Sequence, residues 1–161
     1  MKTVYIETSV ISYFTAQPSA ALVTAAHQQI TREWWDYHRT RFEQFISPLV
    51  LDEASQGDPS AATDRLAAVD GLPVLEVIDS ALALVDTLVA EGALPSRAMD
   101  DATHVAIATV HNMDYLVTWN CRHLDNAETK PLIRSVCAVH GYNCPEICTP
   151  EELMGGTLHE R

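Results

Sequence analysis

The amino-acid sequence predicts an α/β protein, built as a three-layer α/β/α sandwich around a central parallel sheet. Two observations lead to this class. Short apolar runs with strand character alternate along the chain with longer segments, several of which start at a capping residue or proline and stop at glycine. The length of 161 residues and the hydrophobic fraction of 47% suffice for one domain with a substantial core. Strands separated by helices favour a parallel sheet that is covered on both faces.

Five short strands are expected in chain order. The first is the apolar run at residues 3–6, and the second, at 43–47, is apolar towards its end. The other three are expected at 72–78, 114–118 and 146–148, where apolar and β-branched side chains cluster again.

Helices are expected between these strands, and local signals set their boundaries. The first begins within residues 10–14, and a longer one is expected to start at Ser19 as its cap. Pro48 suits the first turn of the next helix, which should stop at Gly57. Asp58, followed by a proline, is a typical start for another helix.

The second half of the chain repeats the pattern. Asp79 and Ser96 are expected to cap two helices, and a third is predicted at 127–140 before the last strand. No internal repeat and no linker divides the chain, so a single domain over residues 1–156 is expected. Residues 157–161 are predicted to form a frayed tail.

The charge of the chain is strongly negative. There are 22 acidic residues against 10 lysines and arginines, a formal net charge of −12. This balance argues against a general polyanion-binding surface, although a local basic patch remains compatible with it. No apolar run reaches membrane-spanning length and no signal peptide is recognisable, so we expect a cytoplasmic protein without a membrane partner.

All four cysteines fall in the last quarter of the sequence. Their spacing fits no strong zinc pattern, and the favoured interpretation is reduced thiols in a cytosolic protein. The alternative is a zinc site that combines two of them with a third cysteine or a histidine; the four are Cys121, Cys137, Cys144 and Cys148.

Polar side chains from distant segments are predicted to meet at one edge of the sheet. Glu7 directly follows the first strand, and Glu53 lies on the helix after the second strand. Asn120 follows the 114–118 strand, and Asp101 lies on the helix before it. Ligands of open parallel sheets bind beyond the carboxyl ends of the strands, where these groups would converge.

Such a cluster of carboxylates predicts a bound cation. Like charges brought together repel, and a divalent cation removes that penalty. A set of oxygen donors with few histidines suits Mg²⁺ or Mn²⁺ better than Zn²⁺. Of the adjacent acids Asp100 and Asp101, the second is the better ligand candidate, and Asp100 is expected to be solvated or supporting. His104 is expected to be a packed or hydrogen-bonded helix residue rather than a ligand.

Four stretches of the chain together resemble a known family. In their order and spacing they are similar to the PIN domain of VapC-like toxins, and the resemblance covers nearly the whole chain; the stretches read "VYIETSVIS", "SPLVLDEASQG", "AMDDATHVAIA" and "YLVTWNCRH". The resemblance implies a Rossmann-like α/β/α sandwich and a metal-dependent ribonuclease. It also implies a toxin that a cognate antitoxin neutralises, commonly as a homodimer.

The resemblance assigns roles to individual residues. It places the metal-binding and catalytic set on Glu7, where the family usually has Asp, and on Glu53 and Asp101. The fourth position falls on Asn120, where many members carry an acid. Ser9 and Thr118 match polar positions beside the site, where they would orient water or metal.

Two regions of the chain are candidates for contact with RNA. Arg97 and Arg122 flank the proposed site in sequence and are the favoured phosphate contacts. The stretch 31–42 interleaves arginines with aromatic residues, as in single-strand RNA binding. We favour the alternative for this stretch, in which Trp34, Trp35 and Tyr37 pack in the core or in a dimer contact and the arginines are solvated.

Two functions follow from these observations. The first is a Mg²⁺- or Mn²⁺-dependent endoribonuclease, the toxin of a type II toxin–antitoxin pair. The alternative is a binding or dimerisation module of the same fold with weak or no nuclease activity. The changed residues at positions 7 and 120 and the net charge of −12 favour this alternative.

Overall fold

A four-stranded parallel sheet forms the centre of the computed structural model, which describes residues 1–155. The strand order is β2-β1-β3-β4, and β1 pairs with β2 and β3 while β3 pairs with β4. The four strands are β1 (Thr3–Ile6), β2 (Glu43–Phe45), β3 (Tyr115–Val117) and β4 (Glu146–Cys148). The α/β class and the parallel sheet are therefore confirmed. The predicted tail at 157–161 and the last residue of the predicted domain lie outside the described residues.

Seven α-helices surround the sheet in two groups within the described part of the chain. The first helix contacts the next three, and the fifth contacts the last two, as expected for helical layers on either side of a sheet. The helices are α1 (Thr8–Thr15), α2 (Leu22–Tyr37), α3 (Pro48–Ala54), α4 (Pro59–Ala68), α5 (Asp79–Ala90), α6 (Met99–Val110) and α7 (Lys130–Val139). Three short 3₁₀ turns complete the described elements, Arg39–Arg41, Ser96–Ala98 and Pro150–Leu153.

The starts of α3 and α4 match their local sequence signals. Ser47 precedes Pro48, and its hydroxyl accepts the Val50 N–H at 3.3 Å. Asp58 caps α4 in the same manner and accepts the Ala61 N–H at 2.9 Å. The α3 helix ends before Gly57, whose φ of +83° is a conformation that side-chain-bearing residues rarely adopt. These caps fix the direction of α3, the helix that carries Glu53.

The predicted strand at 72–78 is wrong. Only one bridge forms there, between Ile46 and Val74, with hydrogen bonds from the Ile46 N–H to the Pro73 carbonyl and from the Leu75 N–H to the Ile46 carbonyl. Pro73 has no N–H to donate to a ladder, and Val74 remains 45% exposed at the edge of the sheet. The apolar run is therefore a mostly exposed connection beside β2.

Three predicted caps also differ from the structure. The long helix α2 begins at Leu22, and its cap is Ala21 rather than Ser19. Asp79 is the first residue of α5 rather than its cap, which is Ile78. Ser96 starts a separate 3₁₀ turn, and α6 begins only at Met99. Asp101 consequently lies in the first turn of α6, whereas a helix capped by Ser96 would have placed it in the second turn. Its position near a helix N-terminus favours a negative charge there.

A single contiguous core joins the sheet to the helices. Val4, Tyr5 and Ile6 of the central strand β1 are fully buried. Trp34 and Trp35 of α2 are 0% and 4% exposed, so the prediction that they pack inside is confirmed. The same prediction is wrong for the core packing of Tyr37, the last residue of α2, which is 75% exposed. Across residues 1–155, every helix is too short or too polar to cross a membrane.

The amino end of β1 is tied to β3 by Asp114. The Thr3 N–H and hydroxyl donate to Asp114 Oδ2 at 2.9 and 3.1 Å, and the Asp114 N–H donates to the Thr3 hydroxyl. The backbone hydrogen bond from Thr3, followed by the hydroxyl and the nearby Lys2 ammonium, holds the pKa of Asp114 below its usual value. The ionised carboxylate is therefore favoured in the folded state.

This contact predicts a pH-dependent contribution to stability. A depressed folded pKa stabilises the fold above the unfolded pKa of about 3.9, and the contribution is lost as pH falls through the folded value. We expect Asp114→Asn to lower the free energy of unfolding at pH 7, measured by urea denaturation. The difference from wild type should shrink as the pH falls below about 4. A difference that stays constant from pH 7 to pH 2.5 would contradict this assignment.

Candidate metal centre

The candidate site lies at the carboxyl ends of β1 and β3, where the order of the strands reverses. From β1 the chain adds β2 on one side, and it then crosses to place β3 on the other side of β1. Glu7 follows β1 and Thr118 follows β3, and the Glu7 N–H donates to the Val117 carbonyl at 3.1 Å. Connections that leave neighbouring strands in opposite directions open a crevice at their carboxyl ends. Glu7 is placed at this crevice.

Glu7 is buried and held by several donors. Its side chain is the N-cap of α1 and accepts the Ser9 N–H at 3.0 Å, the Ser9 hydroxyl, and the Thr118 hydroxyl at 2.6 Å. Only 6% of the residue is exposed. Hydrogen bonds of this kind compensate a buried carboxylate for the water it has lost. Two of the three supporting residues predicted from sequence, Ser9 and Thr118, thus contact the first predicted ligand.

The supporting hydroxyls are themselves fixed by the backbone. Ser9 Oγ accepts the Trp119 N–H at 2.8 Å, and Thr118 Oγ1 accepts the Asn120 N–H at 2.9 Å. Each hydroxyl therefore has one defined acceptor role and directs its hydrogen towards Glu7. The segment after β3 and the start of α1 lock the position of the Glu7 carboxylate together.

Glu53 reaches the same crevice from α3. Its Oε1 accepts the Thr8 hydroxyl at 2.6 Å and contacts His104 Nε2 at 2.7 Å. Burial by itself raises the pKa of Glu53, but the hydrogen bond and charge of His104, together with Thr8, outweigh it and lower the pKa. The carboxylate is therefore kept ionised beside Glu7, as a cation ligand must be.

His104 joins the site, although the sequence placed it only among packed or hydrogen-bonded helix residues. Its side chain is fully buried on α6, and Nδ1 contacts the Tyr5 hydroxyl at 2.6 Å. Burial alone lowers the pKa of His104, but the hydrogen bond with Glu53 and the surrounding carboxylate charges outweigh burial and raise it. Burial raises the pKa of Tyr5, so its hydroxyl stays protonated.

The three residues form a compact group. One potential ligand atom from each of Glu7, Glu53 and His104 lies within 4.8 Å of the other two. The spacing of Asp101 and His104, three positions apart on one helix, was the sequence signal that the histidine faces the same side as the acid. Tyr5, which is two residues before Glu7 on β1 and contacts His104, had no such signal.

Asp101 contacts a different partner. Its Oδ2 lies 3.0 Å from His123 Nδ1, and the two side chains are 20% and 18% exposed. Asp101 is not a member of the three-residue group, although its charge acts on His104. Asp100 is exposed and forms no side-chain hydrogen bond within residues 1–155, so the structure shows no supporting contact for it.

Asn120 organises the loop after β3. Its Oδ1 accepts the N–H groups of Arg122 and His123 at 3.2 and 3.0 Å. This is the local hydrogen bonding typical of asparagine in a turn. Asn120 thereby fixes His123, the partner of Asp101. Arg97 and Arg122 are exposed, and neither guanidinium donates a hydrogen bond to another described residue.

Aromatic residues line one side of Ser9. Trp119 stacks on His27 with ring centroids 4.0 Å apart, and its indole N–H donates to the Thr31 hydroxyl at 2.7 Å. A cavity of about 350 Å³ opens between α1 and α2 and is lined by Ser9, Ser12, Tyr13, Ala16, Thr24 and Gln28. The rim next to Glu7 is therefore partly apolar, in contrast to the polar centre.

The cysteines take no part in a comparable cluster. Within residues 1–155, the group of Glu7, Glu53 and His104 is the only set of three acids, histidines or cysteines with the spacing of a metal site. The four cysteines are free thiols, and only Cys121 is exposed. The zinc alternative considered from sequence thus gains no support from the described part of the chain.

The donor chemistry of the site fits a hard divalent cation. Two carboxylates lie close together, and one of them is almost completely buried. Their mutual repulsion is relieved when a cation binds between them. Carboxylate oxygens are the ligands that Mg²⁺ and Mn²⁺ prefer. Comparison with protein-family models and with curated proteins gave no match.

Proposed function

We propose that this protein is a PIN-like, Mg²⁺- or Mn²⁺-dependent endoribonuclease that hydrolyses RNA phosphodiesters, acting as the toxin of a type II toxin–antitoxin pair. One observation carries the proposal: the carboxylates of Glu7 and Glu53, from segments 46 residues apart, converge at the crevice of a parallel sheet. The sequence resemblance to VapC-like toxins supplies the substrate class and the partner.

Each residue has a defined task in this proposal. Glu7 and Glu53 hold the cation, and Ser9, Thr118 and Thr8 keep the two carboxylates in place. A cation bound there supplies positive charge to a phosphodiester and activates a water for attack on phosphorus. Asp101 supplies a third carboxylate from the first turn of α6, where the helix N-terminus favours its charge.

Asn120 has an indirect and a direct task in the proposal. Its Oδ1 orders the turn that carries His123, and His123 in turn contacts Asp101. The amide is also the fourth member of the proposed metal-binding set, where it adds no charge. A set of three carboxylates and one amide is expected to bind the cation less tightly than four carboxylates would.

RNA must reach the site against the net charge of −12. We propose that Arg97 and Arg122 contact phosphates. Both are exposed, and Arg97 is four residues before Asp101 while Arg122 is two residues after Asn120. The arginines of the 31–42 stretch are less available. Arg39 lies over the Trp35 ring, and Arg41 donates to the Leu153 carbonyl at 2.6 Å.

The proposal extends to partners and location. A cognate antitoxin and a second copy of this chain are the expected protein partners, and the cytoplasm is the expected compartment. Free thiols support a reducing compartment. Several large apolar side chains are exposed and available for protein contacts, among them Leu22, Val23, Tyr37, Leu82 and Val139.

Calorimetric titration with Mn²⁺ and a cleavage assay on single-stranded RNA test the proposal together. We expect one cation per chain and cleavage that depends on Mg²⁺ or Mn²⁺ and stops with EDTA. The second candidate function, a binding or dimerisation module, is favoured by Glu7 and Asn120 standing at positions where the family usually carries Asp and often an acid. Cation binding without cleavage of any RNA would favour that module, and absence of cation binding would refute the nuclease.

A further inference from the structure

A buried chain of hydrogen bonds runs from the start of α3 to the Glu53 carboxylate. The Val50 N–H donates to Ser47 Oγ, which lies 2.7 Å from the Tyr5 hydroxyl. Tyr5 lies 2.6 Å from His104 Nδ1, and His104 Nε2 lies 2.7 Å from Glu53 Oε1. The three residues between the ends of this chain are 0% exposed. Three separate elements, β1, α3 and α6, are thereby connected to one carboxylate.

The direction of the last hydrogen bond follows from the chemistry of its partner. A carboxylate oxygen only accepts, so His104 Nε2 must carry the hydrogen, whether the ring is neutral or protonated. In the neutral ring Tyr5 donates to Nδ1, and the Ser47 hydroxyl donates to Tyr5. Every hydrogen of the chain then has an acceptor. Neither ring nitrogen has a lone pair left for a cation.

We infer that His104 is a positioning residue for Glu53 and not a cation ligand. The inference rests on the proposed function, in which Glu53 binds the cation. His104 and Thr8 both contact Oε1, so the carboxylate is fixed through one oxygen. Within residues 1–155, Oε2 has no hydrogen-bond donor and is the oxygen available to a cation. The resulting donor set consists of oxygen atoms, which selects hard cations.

Two substitutions of His104 separate this role from a structural one. In His104→Gln the side-chain amide N–H₂ reaches approximately the position of Nε2 and still donates to Glu53. In His104→Asn the shorter amide reaches the position of Nδ1, so it meets Tyr5 but not Glu53. The two variants are equally polar and differ mainly in the hydrogen bond that they preserve: His104→Gln keeps the one to Glu53, and His104→Asn keeps the one to Tyr5.

Calorimetric titration with Mg²⁺ and with Co²⁺ is the readout. We expect His104→Gln to keep the affinity within about threefold of wild type and His104→Asn to lose about 10–100-fold, as measured for other residues that orient metal ligands. The loss should be the same factor for both cations. A ligand role predicts instead a greater loss for Co²⁺, which prefers nitrogen donors more than Mg²⁺ does.

The outcomes distinguish a failure of the proposed function from a failure of the positioning role of His104. If wild type binds neither Mg²⁺ nor Mn²⁺, the proposed function fails. If wild type binds a cation but the two variants lose equal affinity, or Co²⁺ affinity falls more than Mg²⁺ affinity, the positioning role is overturned. Tyr5→Phe keeps the shape of the ring and covers the case in which a His104 variant does not fold. It should bind Mg²⁺ several-fold more weakly than wild type, and an unchanged affinity would overturn the inference.

Discussion

Replacement of Glu53 by glutamine is expected to remove detectable RNA cleavage and to weaken Mn²⁺ binding by about 100-fold or more, equivalent to roughly 2.7 kcal/mol. Glutamine keeps the length of the side chain, and its carbonyl oxygen can still accept from Thr8 and His104, as Oε1 does now. The change therefore removes the negative charge while leaving the hydrogen-bonded frame in place. Cation affinity depends on that charge.

The adjacent acid provides a matched control. Asp52 lies on the same helix and is exposed, so Asp52→Asn makes the same change in net charge outside the site. Mn²⁺ affinity and cleavage should stay at the wild-type level in this variant. Without metal, the melting temperature of Glu53→Gln should lie at most a few degrees below that of wild type, because the repulsion from Glu7 is relieved. Equal Mn²⁺ affinity in Glu53→Gln and wild type would refute the role of Glu53.

Replacement of Asp101 by asparagine is expected to have the second largest effect. We expect Mn²⁺ affinity to fall by about 10–100-fold and cleavage to fall at least as much. The fold should persist, because Asp101 is part-exposed in the first turn of α6 and contacts His123 through one oxygen, which an amide can reproduce. Circular dichroism of the metal-free protein would check the fold.

The control for Asp101 is its neighbour. Asp100 is exposed, and Asp100→Asn changes the charge of the chain by the same amount one position away. It should leave cation affinity and cleavage unchanged. Equal cleavage rates for Asp101→Asn and wild type would exclude Asp101 from the metal-binding set and would leave it only the contact with His123. The structure already gives that contact as its closest polar partner among the described residues.

The two predictions differ in what the structure contributes. For Glu53, the structure gives the partners of one carboxylate oxygen, its ionised state and its closeness to Glu7. For Asp101, sequence resemblance supplies the role, and the structure gives a side chain that lies near the group and contacts His123. Measuring both variants under identical conditions therefore compares a ligand assigned by geometry with one assigned by resemblance.

Much of the fold and part of the site were determined by the sequence alone. The α/β class follows from alternating strand and helix signals, and the start of α3 follows from Ser47 with Pro48, because capping depends on neighbouring residues only. The position of Glu7 at the carboxyl end of β1 was also predicted from neighbouring residues alone. A residue that directly follows a buried strand must lie at the edge of the sheet.

Only the tertiary structure decided which side chains meet. The 72–78 run looks like a strand, but Pro73 and the sheet edge limit it to one bridge. Asp101 and His104 share one side of α6, yet His123 contacts the first while Tyr5 and Glu53 contact the second. Helical spacing fixes the side on which a residue lies, whereas its partner comes from a segment tens of residues away. Hydrogen bonding between buried polar groups selects that partner, because each group left unpaired would cost about 1–3 kcal/mol.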